Sequence, residues 1–263
     1  MPELPEVETV RRDIRPYLKG ESIKEVKVFD RRNFQKITSL KFRKAVVGDK
    51  ILDVDRRAKY LIFKLKSGKA IVIHLGMTGN ILFDPDRYVK IVFFLSHGKK
   101  LYFSDMRLFG KIWLYAEYPE YDLGPEPLSL EFSTEKFKQM LKQHRTAIKP
   151  LLLNQKVIAG LGNIYAAEAL FRAGIHPKRL ANTIDDKRAA KLHKEIQKVL
   201  LEALGFRGTS VRAFVNASGK KGEFQLRLKV YDRKGKACYK CKTPIKRIVL
   251  GQRGTYYCPR CQK

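Results

Sequence analysis

A chain of 263 residues with 44% hydrophobic content is long enough for two modest domains and excludes a disordered tail. Its 55 Lys and Arg against 26 Asp and Glu leave a formal charge of +29 and a pI near 10.0, which points to a polyanionic partner because each neutralised phosphate releases counterions. No apolar run approaches the roughly 18 residues of a spanning helix, and Glu3, Glu6 and Glu8 depart from the layout of a signal peptide, so a soluble intracellular nucleic-acid-binding protein is expected. A solubilising lysine surface and an anionic membrane are the competing explanations of the charge.

In chain order, "VETVRRDIRPYL" has helical spacing at Val7, Val10, Ile14 and Leu18, with Gly20 as its stop. From Ile23 to about Tyr115 the pattern changes to short strands. "KILDVD", "YLIFKL", "AIVIHL", "YVKIVFFL", "KLYFSDM" and "KIWLY" are separated in part by turns of hairpin length, such as "KSGKA" and "SHGKK". These predict an antiparallel sandwich or barrel. "GPEPLSLEFS" reads as a linker, after which helices follow: "STEKFKQMLKQHR" behind Ser/Thr caps, "NIYAAEALFRAG" ending at Gly174, and "IDDKRAAKLHKEIQKVLLEALG" ending at Gly205. Asp185 and Asp186 fall in the first turn of the last helix, where its dipole favours acids. "NASGKKGEF" breaks the pattern again. The expected division is 1–126, 127–218 and 219–263.

The last segment is the most basic, with 14 Lys and Arg against 2 Asp and Glu. It holds all four cysteines, as "CYKC" (Cys238, Cys241) and "CPRC" (Cys258, Cys261) with sixteen residues between the pairs. Two such knuckles suit tetrahedral thiolate coordination of one structural Zn²⁺ better than disulfides or a redox pair, and four thiolates leave no open position for substrate. Between them "RIVL" and "TYYC" flank "GQRG", which puts Arg253 in the turn of a hairpin. An exposed basic hairpin of this kind suits many nucleic-acid-binding zinc ribbons.

Gly160 and Gly162 precede a helix starting near Asn163, an arrangement in which helix amides can meet a phosphate. Arg145 and Lys149 nearby favour that reading over a plain tight turn. At the other end of the chain, removal of Met1 would expose Pro2 as a secondary α-amine. Such amines titrate at about 7.7–8.0 and can attack the anomeric carbon of a deoxyribose to form an iminium ion, with Glu3 beside it as an acid. Helix entry alone would also explain a proline there.

Taken in order, "PELPEVE", "RRAKYL", "HLGMTG", "DMRLFGK", "GLGNIYAAEALF", "GEFQLRLKVYDRKGKAC" and "QRGTYYCPRCQK" resemble, over essentially the whole chain, the bacterial formamidopyrimidine-DNA glycosylases. The resemblance implies an α+β multidomain protein: an N-terminal antiparallel β-sandwich with flanking helices, a helix-two-turns-helix domain and a C-terminal zinc-ribbon hairpin. It implies a monomeric bacterial enzyme, cytoplasmic and nucleoid-associated, that excises oxidised purines from double-stranded DNA and cleaves the strand by β,δ-elimination.

By the same resemblance Pro2 is the nucleophile, Glu3 the acid, and Lys59 the basic group at the phosphate that assists β-elimination. Arg253 serves the phosphate and δ-elimination. Glu6 matches a second acidic position, although a helix cap explains it nearly as well. Met77, Arg107 and Phe109 match residues that fill the gap left by a flipped nucleotide. Asn163 matches a DNA contact, His74 a support for the Met77 loop, and "NASGKKGEF" a loop that closes over the flipped base. Tyr88 stands where some relatives have a DNA-contacting histidine, and Leu108 where some have a second basic residue. The sister class, similar to endonuclease VIII and acting on oxidised pyrimidines, is the alternative enzyme, though "PELPEVE" favours the purine branch. A non-enzymatic zinc-ribbon DNA-binding protein would need no free Pro2.

Overall fold

The computed structural model describes residues 1–211 and 213–263, which divide into two compact units. Residues 1–121 with 204–225 form the first, and residues 122–203 with 226–263 the second.

In the first unit, α1 (Leu4–Leu18) places Val7, Val10, Ile14 and Leu18 fully in the core, the stripe its spacing predicts. Gly20, at φ +89, turns the chain beyond its end. Eight strands follow among the described residues: β1 (Ile23–Val28), β2 (Ile51–Arg57), β3 (Tyr60–Leu65), β4 (Ala70–His74), β5 (Gly79–Leu82), β6 (Val89–Leu95), β7 (Lys100–Asp105) and β8 (Lys111–Tyr115). They form two antiparallel four-stranded sheets, β1-β6-β7-β5 and β2-β3-β4-β8. Inward residues of both sheets, among them Val26, Phe63, Ile73, Phe93 and Phe103, share one core with α1. Each fully buried side chain of this size stabilises by roughly 1.5–3 kcal/mol. The antiparallel sandwich is as expected.

Two of the eight strands are additional to the six quoted runs. β1, "IKEVKV", mixes apolar and charged residues without strict alternation, and β5 is only four residues long, so neither carries a strong local signal. A short helix, α2 (Ser39–Val46), also appears, capped by the Thr38 hydroxyl.

The second unit is built on α3 (Thr134–Lys142), α4 (Ile148–Leu153), α5 (Asn163–Ala173), α6 (Asp186–Gly205, whose last two residues lie in the first unit) and a two-stranded hairpin, β9 (Lys246–Leu250) with β10 (Arg253–Tyr257). The Ser133 hydroxyl caps α3, Gly174 ends α5 in the left-handed region at φ +78, and Asp185 accepts the Arg188 amide at the start of α6. α6 stops at Gly205, but the left-handed residues that turn the chain are Arg207 and Gly208. α4 is an element the spacing does not reveal, because Pro150 interrupts its pattern.

Candidate active site and nucleic-acid interface

Glu3 is the N-cap of α1 and closes a reciprocal box with Glu6, whose Oε2 accepts from the Glu3 amide at 2.7 Å. Glu6 Oε1 accepts from the Thr209 amide at 2.8 Å. Glu6 is therefore a cap, and it also ties the start of the helix to the 206–209 turn. Gly208 permits this contact twice over: its φ is +85, and a Cβ there would lie 3.0 Å from Glu6 Oε1. Both carboxylates are almost wholly buried, as is Pro2, whereas Met1 is 45% exposed. With Met1 in place the Pro2 nitrogen belongs to an amide and has no nucleophilic lone pair.

β2 and β3 pair from Arg57 to Tyr60, leaving Ala58 and Lys59 as a two-residue turn with Ala58 at φ +53. Lys59 is only 6% exposed. Arg56 donates to the Ala58 carbonyl at 2.9 Å and to Glu8 Oε2 at 3.1 Å, so one guanidinium links the Lys59 turn to α1. Burial alone would raise the Glu8 carboxyl, but hydrogen bonds from Arg11 and Arg12 outweigh it and hold the group at about 2. His74, at the end of β4, is lowered to about 4, first by burial and then by the Lys59 ammonium and the terminal ammonium. The ring is neutral at pH 7, and its Nδ1 accepts from the Gly76 amide at 3.2 Å. Pro2, Glu3, Glu6, Lys59 and His74 thus belong to one region of the first unit.

Met77 lies on the β4–β5 loop, and Arg107 and Phe109 on the β7–β8 loop. Met77 is half-buried; Arg107 and Phe109 are exposed, with the guanidinium 4.6 Å from the phenyl centroid. The loops touch: a Cβ on Gly76 would fall 2.4 Å from the Phe109 carbonyl carbon. Met77 and Phe109 are thus loop residues, although their neighbouring strands would suit core positions. Tyr88 is half-buried under the Arg87 guanidinium, and its carbonyl accepts the Asp105 amide. Leu108 adopts φ +59. In "NASGKKGEF", Asn216 Oδ1 accepts from the Ser218 and Lys220 amides, closing a compact turn.

In the second unit Lys149 is 1% exposed, and its ammonium donates to Asn163 Oδ1 at 2.6 Å, Thr255 Oγ1 at 2.7 Å and the Gly254 carbonyl at 3.4 Å. Asn163 Nδ2 also donates to the Gly254 carbonyl, at 3.0 Å. Lys149 and Asn163 are brought together as a brace behind β10, instead of standing as separate surface donors. Arg145 is exposed, in the segment between α3 and α4. The Gly160–Gly162 turn is buried, and the Gly160 amide donates inward to Gln155 Oε1 at 2.9 Å. Arg253 is exposed and is the first residue of β10; the turn itself is Gly251 and Gln252, both at positive φ.

The four cysteine Sγ atoms lie within 4.8 Å of one another, with Cys238–Cys261 at 3.9 Å and Cys241–Cys258 at 3.4 Å. A tetrahedron of Zn–S bonds of about 2.3 Å has edges of about 3.8 Å, so the thiols fit one zinc ion. Burial and then the other three thiols push Cys261 up to about 12, while hydrogen bonding with Thr243 draws Cys241 down to about 6. A cation resolves that repulsion, and the four cysteines hold one structural zinc. Two contacts that the sequence does not display support the ribbon. Glu168, fully buried on α5, accepts the amides of Lys229, Val230 and Tyr231 at 2.8–2.9 Å. The Gln262 side chain bridges the Cys258 amide to the Ile175 carbonyl. Glu168 lies within the quoted "GLGNIYAAEALF", where a carboxylate on an otherwise apolar helix face is the one available signal.

Residues 1–112 match the formamidopyrimidine-DNA glycosylase N-terminal domain, 123–215 the H2TH domain of the same enzymes, and 235–263 the zinc finger found in FPG and IleRS. The chain belongs to the formamidopyrimidine-DNA glycosylase family. The formamidopyrimidine-DNA glycosylase of Pelotomaculum thermopropionicum is 43% identical over 100% of this chain and 99% of its own. The MutM (Fpg) protein of Thermus thermophilus superposes with a TM-score of 0.90 at 38% identity, covering 99% of this chain and 98% of that one. The Lactococcus lactis Fpg in complex with abasic-site DNA also gives 0.90, at 32% identity over 99% of both chains. Family membership accounts for the sandwich, the H2TH helices and the zinc ribbon. Among the described residues no helix is long and apolar enough to cross a membrane.

Proposed function

We propose that this protein is a bifunctional DNA glycosylase and abasic-site lyase of base excision repair, acting on 8-oxoguanine and formamidopyrimidines in duplex DNA. The observation that carries the reading is the N-terminus: Pro2 and Glu3 open a buried, capped helix in the same region as Lys59 and His74. A reactive amine on a frayed terminus would be poorly oriented, and orientation is worth several orders of magnitude in rate.

Once Met1 is removed, the neutral Pro2 nitrogen attacks C1′ and the glycosidic bond breaks, its electron pair leaving on the base, which takes up a proton. The nitrogen loses its own proton and its lone pair then breaks the C1′–O4′ bond, giving an iminium ion and a protonated O4′. Glu3 supplies and receives protons at the sugar. The iminium ion acidifies C2′; loss of that proton expels the 3′ phosphate, and the following δ-elimination expels the 5′ phosphate. We assign Lys59 to the phosphate and the β-elimination step, and Arg253 to the phosphate and the δ step. Met77, Arg107 and Phe109 fill the gap left by the flipped nucleotide. Arg145, Asn163 and Tyr88 contact the backbone, with Lys149 holding Asn163 in place. In this reading residues 1–126 carry the chemistry, 127–218 grip the duplex, and 219–263 supply the lesion loop and zinc hairpin. The setting is the bacterial cytoplasm, on the nucleoid, as a monomer.

Borohydride trapping tests the reading. The untagged protein is expected to become covalently attached to 8-oxoguanine duplex, and Pro2→Gly or a retained N-terminal tag to reduce trapping greatly. Equal trapping by tagged and untagged protein would exclude Pro2 as the nucleophile. A Lactococcus lactis relative was solved with DNA containing an oxidised pyrimidine, so the endonuclease VIII-like reading deserves a direct comparison. Faster excision of oxidised pyrimidines than of purines would favour it.

A further inference from the structure

Asp105 is fully buried at the end of β7, opposite Gly79 of β5, where the strands lead into the two loops that carry Met77, Arg107 and Phe109. Each of these loops crosses from one sheet of the sandwich to the other. One carboxylate engages both. Its Oδ1 accepts from the Thr78 hydroxyl at 2.6 Å, next to Met77, and from the Arg107 amide at 3.3 Å. Its Oδ2 accepts from the Gly110 amide at 2.7 Å and from Asn33 Nδ2 at 3.2 Å. Thr78 closes the circuit, since its hydroxyl oxygen also accepts from the Arg107 amide at 3.1 Å.

The two amides held on the β7–β8 loop bracket Leu108, a non-glycine residue at φ +59. That conformation costs roughly 1–2 kcal/mol and needs outside support to persist. Arg107 and Phe109, on either side of it, are exposed, so apolar packing cannot set their direction. Hydrogen bonds to a buried carboxylate are strong and directional enough to do so.

We propose that Asp105 is a positioning residue that locks the Met77 and Arg107–Phe109 loops into one void-filling unit, and that it thereby governs discrimination of the base opposite the lesion. The proposal rests on the glycosylase reading above. Arg107 is the group whose guanidinium can read an orphan base edge, and bidentate contacts of that kind discriminate only when the fork is held in plane. A carboxylate is required because all four neighbours present donors to it. An amide in its place turns an NH₂ group toward one pair of them.

The test compares wild type, Asp105→Asn and Thr78→Val on 8-oxoguanine opposite cytosine, 8-oxoguanine opposite adenine, and a preformed abasic site in single-stranded DNA, which has neither opposite base nor stack to fill. Asp105→Asn is expected to move the cytosine-to-adenine ratio of kcat/KM toward one by about tenfold, while single-strand cleavage changes less than about twofold. Thr78→Val should move the ratio in the same direction by less, and the double variant should show less than the summed effect. Should Asp105→Asn fail to fold, Thr78→Val carries the comparison. An unchanged ratio, or an equal loss on all three substrates, overturns the proposal. If the wild type excises no oxidised base from either duplex but cleaves abasic DNA, the glycosylase reading itself fails and the inference falls with it.

Discussion

The helix start in the first unit and the zinc hairpin in the second each hold a terminal segment in place, by different physics. α1 is anchored by a wide apolar core, with Glu6 and Glu8 adding hydrogen bonds and ion pairs at its N-terminal end. The hairpin rests on a small cluster of Ala167, Phe171, Val230, Cys238, Ile245 and Cys258, plus the metal, the Lys149 brace and the three amides on Glu168. A large core tolerates loss of one contact, whereas a small core depends on each cross-link.

Removing zinc should widen that contrast most. Structural zinc contributes on the order of 10 kcal/mol at pH 7, so chelation is expected to abolish amide-exchange protection across 229–263 and duplex binding with it, while protection in 51–115 survives. Unchanged DNA binding after metal removal would contradict the structural role.

Acid should act in the first unit. His74 titrates at about 4 when folded and about 6.5 when unfolded, so between those values the unfolded chain binds a proton that the folded chain refuses. Stability is therefore expected to fall as pH drops through that window, by up to about 3 kcal/mol, and His74→Gln should flatten the slope. Below pH 4.5 a second loss follows as Glu8, held at about 2, is protonated. Urea melts at a series of pH values would show both.

Glu168→Gln is a smaller perturbation. It turns an NH₂ toward backbone amides that need an acceptor, at a cost of about 1–3 kcal/mol, and should loosen 229–231 in hydrogen exchange without changing the sandwich. Arg253→Ala should change stability least, within about 0.5 kcal/mol, because the side chain is exposed. On abasic DNA this variant is expected to stop at the β-elimination product; full δ product would remove Arg253 from the mechanism.

Most of the architecture was legible from local pattern. The apolar stripe of α1, the six quoted runs and the two cysteine knuckles each state their structure within a few residues. β1, β5, α2 and α4 were not, since they are short or mixed in polarity and form only against neighbours distant in the chain. The sequence puts Arg253 in the hairpin turn, but that turn comprises Gly251 and Gln252 at positive φ, with Arg253 opening the strand. Among the site residues, Lys149 reads as a phosphate contact because sequence gives charge without burial, whereas it is 1% exposed and donates to Asn163 and Thr255. Glu6 is visible in the sequence as a capping candidate, but its second partner, Thr209, 203 positions away, is not.

By itself the sequence determined the elements with strong periodicity, the metal ligands, the charge that selects a polyanion, and the order of motifs that marks the family. Only the tertiary structure decided that Asp105 joins two loops, that Lys149 braces Asn163 against β10, and that Gly208 makes room for Glu6. These are contacts between residues far apart in the chain, made by single polar groups in buried places, and no local periodicity encodes them.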